Sequence, residues 1–272
     1  MIVFSSAFVL SQAAAGQPLT HPRIGYQSWL EDLLDEDITA SSVTDEGPKD
    51  MPLRPDTHNY WRPAALPATW VADLGETRDV DYVGVVGTIG SSRASLLVET
   101  SIDDGVWVAL GAEVQPQDDA PILFLDTSRQ ARKVRLTVQG VGAVPRIASV
   151  YAGEILAMPR PIYGGHSPLT LSRDTVLEGT LSRGGQFLGQ DFRRHGVSGA
   201  FDFRHLTAAF YRASFEPFVK AIRNRPYFIG WRPATFPLEV AYVWTLEDIR
   251  PQNMGLRDFL AVSVPARGIG HE

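Results

Sequence analysis

One stretch of the chain decides the fold, and it contains three runs: YWRPAALPATWVADLG (60–75), DVDYVGVVGTIG (79–90) and ASLLVETSIDDGVWVAL (94–110). In each run, apolar and polar residues alternate with a period of two. This period is typical of a β-strand that buries one face and leaves the other in solvent. The residues that share one face are Trp70, Ala72 and Leu74 in the first run, Tyr82, Gly84 and Val86 in the second, and Leu96, Val98 and Thr100 in the third.

Turn-forming residues separate the runs. Gly75 and Gly90 can adopt a positive φ, and the Asp103-Asp104-Gly105 triplet can hydrogen-bond its own backbone where a strand reverses. The stretch therefore predicts antiparallel hairpins of a β-sandwich.

The order of signals in this region resembles the discoidin, or coagulation-factor C-type, family, whose members are galactose-binding-like jelly rolls. The signals are an Asp-rich turn with an aromatic pair (Asp56 to Trp61), the strand WVADLG (70–75) and the hairpin SIDDGVW (101–107). The resemblance covers roughly Ile38 to Leu156 and ends with IASVYAGEI (147–155). It implies that loops at one end of the sandwich bind a sugar, a lipid headgroup or a protein, without catalysis.

The 272 residues are enough for two domains that each bury a core. A hydrophobic content of 44% with 21% charged residues is ordinary for a folded protein, and no apolar run reaches the length of a membrane span. The proline- and glycine-rich segment after Met158 predicts a linker. We predict an N-terminal arm with a short helix (1–37), a discoidin-like jelly roll (38–158) and a second β-rich domain with one or two helices (159–272).

The net charge of −6 hides an asymmetry between the two halves of the chain. Residues 1–155 hold 11 Lys and Arg against 21 Asp and Glu, whereas residues 156–272 hold 14 against 10. The acidic half would repel phosphate, and the basic half has no clustered stripe of Lys and Arg. A nucleic-acid partner is therefore not predicted.

The composition argues against several kinds of chemistry. The chain has no cysteine, which excludes disulfides, thiolate nucleophiles and Cys-based zinc sites. Its six histidines show neither the HxxxH nor the HExxH spacing of a helical zinc site, and no glycine-rich loop leads into Lys-Ser or Lys-Thr. We predict no metal, no cofactor and no enzymatic activity, with a glycan-processing enzyme as the least favoured alternative.

The N-terminal region carries two further predictions. Met1 to Gly16 is expected to form an exposed or partner-paired arm, although its apolar run and the small residues Ala13 to Ala15 leave a signal peptide as the alternative. Gly25 to Leu34 predicts a short helix capped by Ser28. The acidic run that follows is read as a solvated face.

In the second half, the spacing of Phe210, Phe215, Phe218 and Ile222 predicts a helix over 206–222 that packs its aromatics in the core. Strands are predicted around it, at 169–181, 187–192, 200–203, 227–231, 239–246 and 259–264.

This half resembles tail-tip and baseplate proteins of the distal tail type, from tailed bacteriophages and gene transfer agents. The resemblance lies in PYFIGWRPATFPLEVAYVW (226–244), DIRPQNMGLRDFLAVSV (248–264) and PLTHPRI (18–24). It implies a structural subunit that assembles into a ring with copies of itself and other tail proteins, in the virion tail after assembly in the host cytoplasm. Candidate interface aromatics are Phe201, Phe203, Phe210, Tyr211 and Trp231, if some of them are exposed.

The candidate binding site is the loop before the first predicted strand. It offers aromatic rings on which a sugar can stack and polar side chains that can bond hydroxyl groups. The candidate carbohydrate-binding residues are Asp56, His58, Asn59, Tyr60, Trp61 and Arg62. In the alternative interpretation Trp61 plugs the bottom of the barrel and Arg62 pairs with Asp73 or Glu76.

The sequence thus predicts a structural tail-tip or baseplate component that oligomerises through its C-terminal domain and displays a jelly-roll binding module. The alternative is a free lectin-like protein that recognises a cell-surface glycan.

Overall fold

The computed structural model describes residues 1–14, 19–103, 105–194, 196–245, 247–255 and 258–270. It has 45% strand and 11% helix, which confirms the predicted mainly β class with a β-sandwich. Some residues used in the predictions lie outside the described residues: Ala15 and Gly16, Pro18, Asp104, His195, Leu246, Leu256 and Arg257, and His271.

The strands in chain order are β1 (Ile2–Phe4), β2 (Arg23–Gly25), β3 (Ile38–Ala40), β4 (Ala68–Gly87), β5 (Ser95–Ser101), β6 (Val108–Ala109), β7 (Ile122–Gln139), β8 (Ile147–Gly153), β9 (Leu156–Ala157), β10 (Val176–Leu181), β11 (Phe187–Arg194), β12 (Val197–Thr207), β13 (Tyr227–Gly230), β14 (Val240–Trp244), β15 (Gln252–Asn253) and β16 (Phe259–Gly270). The helices are α1 (Ser6–Ala14), α2 (Ala208–Phe210) and α3 (Glu216–Ala221), with a π-helical turn at Tyr211–Phe215 between the last two.

Two long strands, β4 and β7, build the sandwich by passing from one layer to the other. In the first layer, Ala68–Asp73 of β4 pairs with Lys133–Val138 of β7, and β3 lies next to β4 and β5 next to β7. In the second layer, Tyr82–Val85 of β4 pairs with Ile122–Leu125 of β7, and β8 lies next to β4 and β1 next to β7. The core between the layers includes the fully buried Trp61 and Trp70.

Gly75 does not reverse the chain as predicted. It lies at the bend inside the continuous strand β4, with φ +75°, and its N–H donates to Asp73 Oδ1 at 2.9 Å. A strand that changes layers needs a local break in its ladder, and here the register shifts between Asp73 and Arg78. The predicted hairpin of two strands is therefore one bent strand.

A second sheet has the strand order β12-β16-β14-β13-β2-β9, and β15 pairs with β16. The helical segment begins two residues later than predicted, because β12 continues to Thr207 and the Thr207 Oγ1 caps the helix by accepting from Phe210 N–H at 3.2 Å. Phe215 and Phe218 are fully buried in the core of this sheet, as their spacing predicted.

The two sheets pack against each other through the outer face of the sandwich's second layer. Tyr82 and Val86 of β4 join Phe228 and Tyr242 of the second sheet in one buried cluster. At Gly84 a Cβ atom would lie 2.6 Å from the Phe228 ring, so the close approach of the sheets requires glycine there. Strands buried on both faces have near-continuous apolar sequences, as VGVVG and IASVYAG do.

The N-terminal segment is not the exposed arm that we expected. Strand β1 pairs in parallel with β7, and Ile2, Val3 and Phe8 are buried. Strand β2 pairs with β13 and β9 in the second sheet. The apolar residues of β1 are therefore buried within the molecule, where this strand pairs with β7.

The predicted helix at 25–34 is also wrong. This segment forms turns followed by a 3₁₀ turn at Asp35–Asp37, and Ser28 Oγ accepts from Leu30 N–H at 3.3 Å. Trp29 N–H donates to Ala152 C=O of β8 at 2.8 Å, so a tertiary bond holds the segment in a turn against the sandwich. The predicted boundaries at 37/38 and 158/159 stay predictions.

Candidate functional site

The predicted binding loop lies at the end of the sandwich where β4 starts and β8 begins. A two-residue antiparallel bridge between Trp61 and Ile147 fixes it there, with reciprocal N–H to C=O bonds of 2.8 and 2.9 Å. The other end of the loop is held by the second sheet, since Tyr242 Oη donates to the Pro55 carbonyl at 2.7 Å. The loop is therefore anchored at both ends.

The bridge decides which aromatic side chain a ligand can reach. Successive residues of an extended segment point to opposite sides, and here Trp61 points inward. It is 0% exposed, and its indole N–H donates to the Ser42 carbonyl at 3.1 Å. Trp61 accordingly acts as a core plug, as the alternative interpretation held, while Tyr60 remains half-buried at the surface.

Tyr60 lies under a guanidinium group from another loop. The Arg146 side chain stacks over the Tyr60 ring, with Cζ 4.7 Å from the ring centroid. The Arg146 backbone is fixed by two bonds to Thr88: its N–H donates to Oγ1 at 2.9 Å, and its C=O accepts from Thr88 N–H at 2.9 Å. Because Arg146 lies 86 residues after Tyr60 in the chain, no local sequence pattern indicated that it belongs to this site.

Arg62 projects on the same side of the segment as Tyr60, two residues away. Its guanidinium lies 3.6 Å from the Glu46 carboxylate. The two acids considered as its partners are engaged elsewhere: Asp73 with Arg132 and Lys133, and Glu76 with Arg78. An ion pair this exposed contributes about 0–1 kcal/mol to stability, so a ligand can compete for the guanidinium.

Asp56 organises the polar part of the loop. Its Oδ1 accepts from the Asn59 backbone N–H at 3.3 Å and from Asn59 Nδ2 at 3.0 Å, and it lies 3.0 Å from His58 Nδ1. Such a turn fixes Asn59 and His58 through one carboxylate oxygen. It leaves His58 largely exposed, with the second ring nitrogen facing away from the carboxylate.

The structure thus brings five of the six predicted residues to the surface at one end of the sandwich and adds Arg146 to them. Together they present a ring, two guanidinium groups, an imidazole, an amide and a carboxylate. This set can donate to and accept from hydroxyl groups beside an aromatic plane.

Two concave surfaces lie elsewhere, and the sequence did not single them out as sites. One, of about 570 Å³, lies between Trp29, Arg78 and α3. The other, of about 550 Å³, is at the opposite end of the sandwich from the binding loop and is lined by Ile102, Val106 and Val108. For the second surface the signal was apolar residues within a predicted hairpin turn, where polar residues are usual.

One carboxyl group between the two sheets has an altered acidity. Burial raises the pKa of Asp81 to about 7, and the nearby acid Glu154 acts in the same direction. A bond from Ile155 N–H to Asp81 Oδ1, at 2.6 Å, opposes this shift. Asp81 is not part of the binding loop, so its titration concerns the packing of the sheets.

Within the part of the chain that the structure describes, no group of three or more His, Asp or Glu side chains is arranged to hold a metal ion. No helix among those residues is long and apolar enough to cross a membrane.

The sequence matches no protein-family model and no curated protein. Solved structures that match part of this chain include the Clostridium perfringens module CpGH89CBM32-5 in complex with GalNAc-β-1,3-galactose, at 16% identity and a TM-score of 0.39 over 44% of this chain and 97% of that one. The family 32 carbohydrate-binding module of C. perfringens NanJ, in complex with galactose, has 20% identity and a TM-score of 0.37 over 43% and 94%.

The protein SpGH29 has 15% identity and a TM-score of 0.39, but this chain spans only 28% of its length. All of these identities are below 25% and all of the TM-scores below 0.5. The similarity therefore carries no conclusion about the function of this chain.

Proposed function

We propose that this protein binds a glycan through the loop from Asp56 to Arg62 together with Arg146. The observation that carries the proposal is the Tyr60–Arg146 stack, which sits at the surface beside His58 and Asn59 on a loop anchored at both ends. A preorganised loop loses little conformational entropy when it binds, and a saccharide needs both an aromatic plane and directed hydrogen bonds.

The roles of the individual groups follow from their positions. Arg146 covers one face of the Tyr60 ring, so the apolar face of a sugar ring packs against the other face. Arg62 and Arg146 donate to hydroxyl or carboxylate oxygens, and His58 and Asn59 can both donate and accept. Asp56 holds the turn in shape.

We propose binding without catalysis. The loop contributes a single carboxylate, Asp56, and that group is occupied by Asn59 and His58. Glycoside hydrolysis ordinarily uses two carboxyl groups that flank the scissile bond.

The test is a glycan array that includes neutral, amino and acidic sugars, probed with the full chain and with Tyr60→Ala. We expect Tyr60→Ala to lose about tenfold or more in affinity for whichever glycan the wild type retains, because stacking on an aromatic ring contributes roughly 1–3 kcal/mol. Retention of all glycans by Tyr60→Ala, or of none by the wild type, would refute the proposal.

The chain offers a matched control for this test. Tyr163 is another surface tyrosine under an arginine, since Arg204 Cζ lies 4.0 Å from its ring centroid. Tyr163→Ala removes the same kind of stack far along the chain from the loop. It should leave glycan retention unchanged.

As a second candidate function we propose a structural subunit of a phage-like tail tip or baseplate, located in the virion tail. The observation that favours it is a projecting β-hairpin, β10 and β11, with exposed apolar side chains. The predicted interface aromatics are not available for contact with another subunit. Phe201, Phe203 and Tyr211 are buried, and Phe210 and Trp231 pack partly against the same core. Detection of the chain in purified particles by mass spectrometry tests this candidate.

A further inference from the structure

The hairpin formed by β10 and β11 is a well-formed element that stands apart from both sheets. The two strands pair with each other and with no other described strand. The turn between them is closed by a bond from Ser182 N–H to Gln186 C=O at 2.8 Å, with Gly185 at φ +80°. A two-stranded hairpin alone is marginally stable in water, so an element of this kind usually packs against something.

One face of this hairpin is apolar and open. Leu177 and Leu181 are four residues apart on β10 and so point to the same side, and Leu181 lies directly opposite Phe187. These three side chains are 49%, 65% and 66% exposed. Contiguous exposed apolar groups on a projecting element are typical of a docking surface.

A concave apolar surface of similar character lies on the first domain. Ile102, Val106 and Val108 surround the cavity of about 550 Å³ beside the edge strand β6, and they are 55%, 68% and 46% exposed. Arg129, which pairs with the buried Asp126, forms part of the wall. We call this surface the edge cleft.

Each surface carries one exposed charge at its edge, and the two charges have opposite signs. The edge cleft belongs to the acidic half of the chain, and its rim carries the exposed carboxylate of Asp103. The hairpin belongs to the basic half, and Arg183 at its tip is exposed without an acidic partner among the described residues. Opposite charges on two surfaces that each expose apolar groups favour their association across two molecules.

We propose that the β10–β11 hairpin of one copy of this chain docks into the edge cleft of a second copy, with Arg183 of one copy beside Asp103 of the other. Because the two surfaces differ, the contact is head-to-tail and builds a ring or a filament. The edge cleft and the glycan loop are at opposite ends of the sandwich, so docking leaves the loop accessible. This inference rests on the second candidate function and extends it.

The first experiment is light scattering after size-exclusion chromatography of the full-length chain over a concentration series, with sedimentation velocity to give dissociation constants. The double variant Leu181→Ser/Phe187→Ser should raise the dissociation constant by about a hundredfold, because buried apolar anchors dominate interfaces. Val141→Ser alters a fully exposed apolar residue of another loop and should change nothing.

The second experiment reverses the charges. Arg183→Glu and Asp103→Arg should each weaken association by about tenfold, and their combination in one chain should restore it, because the pair is re-formed with opposite polarity. Arg183→Glu should keep the circular dichroism spectrum and the melting temperature of the wild type, since Arg183 is exposed. Asp103→Arg also removes the bond that Asp103 Oδ1 accepts from Gly105 N–H at 3.0 Å, so its melting temperature should fall slightly while its spectrum stays unchanged.

Each outcome decides something. A wild type that stays monomeric up to high concentration, an oligomer that survives Leu181→Ser/Phe187→Ser, or a charge pair that is not rescued would each overturn the docking. If the chain is nevertheless found in purified particles, the structural role stands and only this contact fails. If the chain is absent from particles but its association still depends on the hairpin, the tail role is refuted and the hairpin contact stands.

Discussion

Two apolar β regions of this protein differ in whether another part of the chain covers them. The outer face of the second sandwich layer, with Tyr82 and Val86, is covered by Phe228 and Tyr242 of the second sheet, whereas the apolar face of the β10–β11 hairpin is covered by no described element. Both contain large apolar residues in strands. The comparison teaches that such residues indicate burial, but not whether the burial is within the chain or against another molecule.

The sharpest test compares one phenylalanine from each region. Phe228→Ala should lower the free energy of unfolding by about 3–5 kcal/mol, because its fully buried ring contacts Tyr151 and Tyr242 and its loss leaves a cavity. Phe187→Ala should change it by less than about 0.5 kcal/mol. Urea denaturation at a protein concentration too low for association measures both, and equal losses would show that the hairpin is covered within the chain.

A pH series tests the covered region independently. With its pKa raised to about 7 from an ordinary value of 3.8, Asp81 binds more protons in the native state than in the unfolded chain between those values. The free energy of unfolding should therefore fall as the pH rises from about 4 to 7, by roughly 2–4 kcal/mol from this group, and then level off.

Asp81→Asn should remove this part of the pH dependence, whereas the exposed neighbour Asp79→Asn should keep it. Urea melts at half-unit intervals of pH would reveal the difference. A slope that is the same in Asp81→Asn and in the wild type would mean that Asp81 is solvated in the native protein.

The smallest expected difference concerns two glycines. Gly84→Ala places a methyl group 2.6 Å from the Phe228 ring and should cost about 1–3 kcal/mol, since a packed core resists added volume. Gly179→Ala in the hairpin meets nothing within 4 Å and should be neutral or slightly stabilising. Thermal unfolding of both variants checks this, and a neutral Gly84→Ala would indicate that the sheets are not in close contact.

The binding loop shows where sequence reasoning reached its limit. The composition of residues 56–62 predicted a surface loop with an aromatic and polar groups, and the structure places Tyr60, His58 and Asn59 at the surface. Which of Tyr60 and Trp61 faces inward depended on a one-residue register, set by the bridge to Ile147. Arg146 could not be predicted, since no local pattern links residues so far apart in the chain.

The prediction of an exposed N-terminal arm was wrong for a related reason. Its apolar residues were visible, but β1 and β2 are short strands that exist because β7 and β13 offer them edges. Three residues cannot reveal a strand by periodicity alone.

The sequence by itself determined the mainly β class, the strands with period-two alternation, the aromatic helical core and the loop rich in polar and aromatic residues, because these depend on local periodicity and backbone preference. Only the tertiary structure decided that β4 is one bent strand, that Trp61 is buried while Tyr60 is not, and that the hairpin stays uncovered. Those outcomes depend on which surfaces meet, and such contacts are set by pairings between residues distant in the chain.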